Sequence, residues 1–163
     1  MHSSAPAQSV TRQDIIECAR ALAAKFATRA EAAEEARRIP AESAKDMLDA
    51  GFARILLPER IGGYGLGFDA WFEVMREISK ADASHGWCAG LIIHHAHLIA
   101  QFAEAGQQAV WAKGLDVAVA ASFIPSVQAT AADGGYRVSS KGSPFASGVD
   151  NVGATRWRPL VKP

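Results

Sequence analysis

The amino-acid sequence predicts an α+β chain, helical through its first two thirds and strand-forming afterwards. Three observations lead there. Apolar residues recur at helical spacing from Ile15 to about residue 113. From Val117 the pattern shortens into runs suited to strands. Asp133-Gly134-Gly135 then separates two such runs as a hairpin turn does. Helices followed by strands place a boundary near residue 115. The expected organisation is a flexible tail over 1–10, a helical domain over 11–115, a partial β domain over 116–150 and an irregular tail over 151–163. In that last segment Arg156, Arg158 and Lys162 interrupt the apolar pattern, and Pro159 and Pro163 remove ladder donors.

Each element has its own signal. Thr11-x-x-Asp14 reads as a helix N-cap, and Ile15, Ile16, Ala19, Leu22, Ala23 and Phe26 follow on one face. That helix is expected to run to about Arg37, stopping before Pro40. A second helix begins near Pro40, buries Ala44, Met47 and Leu48, and closes at Gly51. Phe52 to Leu57 reads as a short extended apolar run, followed by a Gly-rich loop through Gly67. Asp69 is the expected cap of a third helix with a Trp71, Phe72, Met75 and Ile78 stripe. Ser84 is the expected cap of a fourth, whose apolar residues on all sides predict burial all round. A short helix around Gln107 to Lys113 precedes strands over Val117–Phe123, Ser126–Ala131 and Tyr136–Ser139.

Composition narrows the function classes. Lys+Arg and Asp+Glu are balanced at 17 each, so no basic field exists to hold nucleic acid or an anionic membrane. Two cysteines, Cys18 and Cys88, lack CxxC spacing and read as reduced structural thiols. The N-terminus has no apolar signal core, and the most apolar window, Leu91 to Ala100, is too short to span a bilayer. A cytoplasmic location is expected.

Several motifs have ordinary explanations. Gly62, Gly63, Gly65 and Gly67 do not follow a phosphate-binding order, so a structural turn is expected. His94 and His97 are i,i+3 neighbours, yet no carboxylate or cysteine completes a metal set. Glu34 and Glu35 point about 100° apart on a helix, which suits a solvated end better than paired acid–base work. No nucleophile elbow supports a hydrolase. His95 is expected two turns after Trp87 on the same face of an apolar helix, which weighs against the ordinary reading of a core histidine bonded to a backbone carbonyl.

Leu57-Pro58-Glu59-Arg60-Ile61-Gly62-Gly63-Tyr64-Gly65, Ser84-His85-Gly86-Trp87 and Pro144-Phe145-Ala146-Ser147-Gly148-Val149-Asp150 together resemble the acyl-CoA dehydrogenase superfamily. The narrower likeness is to its reduced-flavin-dependent aromatic monooxygenases. That resemblance implies a helical domain followed by the start of a β-barrel domain, with a C-terminal helical bundle missing from a truncated chain. It implies reduced flavin, FMN or FAD, delivered by a separate NAD(P)H-flavin reductase, and a small aromatic or phenolic substrate hydroxylated through a flavin hydroperoxide. A homo-oligomer is implied at full length, and little activity by the fragment alone. Residue by residue, Trp87 is expected beside the flavin. Ala121, Ser122 and Phe123 would line its edge, with Phe145, Ala146 and Ser147 in further contact. His95 would face the phenol as catalytic base. An FAD-dependent acyl-CoA dehydrogenase and a non-catalytic interaction module remain the alternatives.

Overall fold

The computed structural model describes residues 10–121, 128–133 and 135–139. Helix α1 (Arg12–Ala27) opens with a capping box in which Asp14 N–H donates to Thr11 Oγ1 at 3.2 Å and Thr11 N–H donates to Asp14 Oδ2 at 2.8 Å. Its buried face is Ile15, Ile16, Ala19, Ala23 and Phe26. The helix does not continue to Arg37. Thr28 Oγ1 folds back onto the Lys25 carbonyl at 2.8 Å, and Arg29 leaves the helical path to reach α3. A separate helix α2 (Ala30–Ala36) follows, ended by Arg37 in the left-handed region at φ 54°.

Helix α3 (Ala41–Asp49) starts after Pro40, its N-cap residue. Phe52 to Leu57 is not extended, as periodicity had suggested. Phe52–Arg54 is a 3-10 turn, and the following residues continue in turns. Phe52, Ala53, Ile55, Leu56 and Leu57 are all buried. Periodicity cannot separate a short buried strand from a buried turn, and among the described residues no strand pairs with this run. The Gly-rich loop folds back over them and supplies the missing donors: Tyr64 N–H reaches Arg54 O at 2.9 Å, and Leu66 N–H reaches Ile55 O at 3.0 Å.

Helix α4 (Phe68–Ser79) is capped by Gly67 rather than Asp69. Its buried stripe is Ala70, Val74, Glu77 and Ile78, whereas Phe72 is 62% exposed. Small Ala70 and Val74 face inward because α4 packs closely against both α1 and α5. Helix α5 (Ala83–Ile99) is capped by Asp82, whose carboxylate accepts the His85 N–H at 2.8 Å; Ser84 lies exposed in the first turn. No residue from Cys88 to Ile99 is exposed, although the N-terminal turns of α5 are open on one side. Helix α6 covers Glu104–Trp111, starting earlier than predicted.

Residues 117–121 form no strand; they run irregularly beside α5. The β segment is an antiparallel hairpin, β1 (Gln128–Ala132) with β2 (Gly135–Ser139), in register from Gln128↔Ser139 to Ala132↔Gly135. Asp133 lies in the turn after β1, and Asp-Gly is a sequence suited to a tight hairpin turn. The observed class is α+β, with one core built around α5, α4, α1 and the 52–57 turns.

Candidate functional site

Helix α5 is the axis of the site. Its apolar sequence lets it pass through the core, so a polar side chain placed there must find a partner. His95 is 1% exposed, and its Nδ1 lies 2.7 Å from the carbonyl oxygen of Val119. A carbonyl can only accept, so Nδ1 carries the proton and the lone pair resides on Nε2. Burial lowers the His95 pKa, with the Val119 hydrogen bond opposing in part. The imidazole is therefore held neutral in the tautomer a base at Nε2 requires.

The segment that meets His95 is tethered a second time. Arg54, in the 3-10 turn, donates through Nε to Asp116 Oδ1 at 2.8 Å and through Nη2 to Asp116 Oδ2. Leu115, just before the Asp116 contact, and Ala118, between the two contacts, pack onto the core. Residues 115–119 are thus drawn across the Gly-rich loop toward α5. Ala121 follows two residues later, half-buried.

Trp87 lies eight residues before His95, about 12 Å along the helix axis and rotated by roughly 80°. It is 56% exposed, on the open side of α5, whereas His95 faces the 117–121 segment. An exposed indole on an apolar helix offers a flat surface for an aromatic ring. That chemistry fits a flavin, and the small half-buried Ala121 fits a close approach. Ser122, Phe123, Phe145, Ala146 and Ser147 lie outside the described residues, as does the segment 151–163.

The other histidines turn elsewhere. His94 stacks on Trp71 with ring centroids 5.4 Å apart, and His97 Nδ1 approaches the Leu56 carbonyl at 3.4 Å. Burial, with the neighbouring His95 and His97, lowers the His94 pKa. No metal-binding group of three or more His, Cys, Asp or Glu occurs among the described residues. The Gly-rich loop makes a poor phosphate cradle for a specific reason. Its successive N–H groups from Gly62 to Leu66 all donate to carbonyls of Glu59, Pro58, Arg54, Leu57 and Ile55. Cys88, with its pKa raised to about 11 by burial and then by Asp82, carries little thiolate at neutral pH.

One polar set escaped sequence reasoning. His85 Nδ1 donates to Asp82 Oδ2 at 2.6 Å, and its Nε2 lies 3.0 Å from Ser43 Oγ. Ser43 Oγ accepts from Arg29 Nη1 at 2.9 Å, and Arg29 also pairs with Asp46 at 2.8 Å. The order resembles a hydrolytic triad, but Ser43 and His85 are both 0% exposed and Phe26 stacks on the imidazole at 4.6 Å. No substrate reaches that hydroxyl, so the set acts as a buried clamp joining α3, α5 and the α1–α2 break. The Asp82-x-x-His85 spacing was visible in the sequence; Ser43, forty-two residues away, was not.

This helical packing and the α5-centred site define the class. Residues 9–116 match the acyl-CoA dehydrogenase N-terminal domain, and the chain belongs to that family. Within it, the chain is 39% identical over 151 residues to the oxygenase component of an FADH(2)-dependent resorcinol hydroxylase of Rhizobium sp. (strain MTP-10005). That match covers 93% of this chain and 37% of the relative. The crystal structure of the HsaA monooxygenase from M. tuberculosis superposes with a TM-score of 0.82 at 28% identity, covering 88% of this chain and 37% of that one. The 3-HSA hydroxylase from Rhodococcus sp. RHA1 gives a TM-score of 0.72 at 34% identity, covering 76% and 33%. The chain thus spans just over a third of the length of these flavin-dependent relatives. No helix among the described residues is long and apolar enough to cross a membrane.

Proposed function

We propose that this chain is the helical, substrate-facing part of an oxygenase component that hydroxylates a phenolic ring with reduced flavin supplied by a separate reductase. The observation that carries this reading is His95. Of the four histidines on α5, His95 is the one whose buried imidazole bonds through Nδ1 to the Val119 carbonyl, next to the segment leading to Ala121. The relatives bearing hydroxylase names favour this over acyl-CoA dehydrogenation.

When bound, reduced flavin, FMN or FAD, supplies the electrons for oxygen activation. The chain's own residues bind, orient and move a proton. Trp87 would give the ring system an aromatic surface, and Ala121, Ser122 and Phe123 are the residues that would hold its edge. Phe145 and Ala146 would add contacts, and Ser147 would supply a hydrogen bond. His95 Nε2 accepts the phenolic proton, which makes the ring a better nucleophile. The apolar surroundings of α5 exclude water from the reaction. The boundary near residue 115 would then separate the helical wall from the β segment that edges the cofactor. The free thiols Cys18 and Cys88 fit a reducing compartment such as the cytoplasm.

Anaerobic titration with reduced FMN and reduced FAD tests the cofactor. NADH-driven phenol hydroxylation with a flavin reductase, in the oxygenase that contains this chain, tests the reaction. Absence of both reduced-flavin binding and phenol turnover would overturn the reading.

A further inference from the structure

Arg54 and Asp116 have no part in the reading above, yet they form a contact across 62 residues of sequence. Arg54 belongs to a turn with little freedom. Its N–H donates to Gly51 O at 2.9 Å, and its carbonyl accepts from Tyr64 N–H at 2.9 Å and Leu57 N–H at 3.2 Å. The guanidinium meets the Asp116 carboxylate at two points, Nε on Oδ1 and Nη2 on Oδ2. Asp116 sits between Leu115, which packs on the core, and the irregular residues 117–121. Gly62 lies directly under this crossing, where an added Cβ would come within 3.0 Å of Leu115 Cδ1. Three residues beyond Asp116, Val119 O accepts from His95. Two polar tethers of different chemistry therefore hold one segment that has no strand or helix of its own.

A surface ion pair contributes little to global stability. A rigid fork that fixes an irregular segment can still determine where that segment's end lies. We infer that Arg54 and Asp116 are positioning residues: their forked pair latches residues 115–121 onto the helical body and so sets the flavin-edge position of Ala121. The inference rests on the flavin reading for its cofactor half, whereas the latch itself does not. The Gly-rich loop acquires a role in this arrangement. It is the seat that presents Arg54 and leaves room for the crossing chain at Gly62.

The test compares the oxygenase that contains this chain with its Arg54→Gln and Asp116→Asn variants and the charge-swapped Arg54→Asp/Asp116→Arg double variant. Amide hydrogen exchange and anaerobic titration with reduced FMN and reduced FAD are read in parallel. The single variants should accelerate exchange at Val117 to Ala121 by roughly tenfold or more, with α4 and α5 unchanged. They should weaken reduced-flavin affinity by about tenfold, and the swap should recover most of both effects. Unchanged exchange at 117–121 would overturn the latch. Uniform acceleration across α4 and α5 would also overturn it, because the pair would then be a general structural contact. A released segment with wild-type flavin affinity would sink the positioning role. Should the unaltered oxygenase bind neither reduced flavin, the functional reading fails and takes the cofactor half with it, while exchange still decides the latch.

Discussion

His95 Nδ1 lies 2.7 Å from the carbonyl oxygen of Val119, and that single contact fixes both a side chain and a backbone segment. It joins the buried axis of the helical domain to the chain leading toward the β hairpin. The carbonyl bond, expected of an ordinary core histidine, also sets the tautomer that puts the lone pair on Nε2. The two readings of His95 therefore call for a variant that separates them.

His95→Asn keeps a donor close to the Nδ1 position but removes Nε2. In the active oxygenase it should lower phenol hydroxylation on the order of 10²–10⁴-fold while reduced-flavin affinity changes far less. Peroxide release should rise as oxygen use uncouples from hydroxylation. Coupling equal to wild type would make His95 a tether and no more.

The same residue gives a pH dependence with a defined sign. Burial lowers its pKa from the ordinary value of 6.5, so the unfolded chain takes up this proton at higher pH than the folded one. Its contribution to stability is lost as pH falls below about 6.5 toward the lowered folded value. Denaturant titrations between pH 7.5 and about 5 should show a slope that His95→Asn reduces. A steeper slope in the variant would contradict the burial argument.

Glu77 carries the acid-side counterpart. Hydrogen bonds from Lys80 first, then from Arg76, with the added charge of Arg20, hold its pKa down from 4.5 to about 2. Its stabilising contribution is present above pH 4.5 and is lost as pH falls from there toward about 2. Thermal melts over that window should show a weaker acid dependence in Glu77→Gln. An identical acid limb in both proteins would mean the cluster of Arg20, Arg76 and Lys80 does not favour the ionised form.

Two glycines on α5 should differ sharply. A Cβ at Gly86 would run into Ser79 Oγ and come within 2.9 Å of the Ser79 backbone Cα. At Gly90 it would meet the Met75 Cε and Sδ at 2.6 Å, the mobile end of an adaptable side chain. Gly86→Ala should destabilise by about 1–3 kcal/mol, and Gly90→Ala by less. Urea midpoints check the order; the reverse ranking would show that α4 and α5 are not in this close register.

Removing the Ser43 hydroxyl leaves His85 Nε2 and Arg29 Nη1 each without one buried partner. Ser43→Ala should cost about 1–3 kcal/mol. The loss should couple with Asp82→Asn in a double-mutant cycle, since both touch the same imidazole. Strict additivity would mean that the clamp is not one network.

By itself, the sequence determined what local chemistry can specify. The Thr11–Asp14 capping box, the helices after Pro40 and around Trp71 and Trp87, and the Asp133-Gly134 hairpin were all readable, because caps, helical periodicity and turn residues act over a few positions. The family likeness was carried by the same local motifs. Only the tertiary structure decided what long-range packing controls. Arg29 broke the first helix to reach Ser43 and Asp46, a choice that nothing between Ala27 and Ala30 announces. The apolar run Phe52 to Leu57 became turns because its backbone partners came from the returning Gly-rich loop rather than from a strand. Phe72 faced outward because close packing against α1 and α5 favoured Ala70 and Val74 inside. His95 met Val119 across 24 residues, and Arg54 met Asp116 across 62. A periodic pattern says which face of an element is apolar; the partner of a buried polar atom is fixed only when distant segments fold together and each donor must find an acceptor.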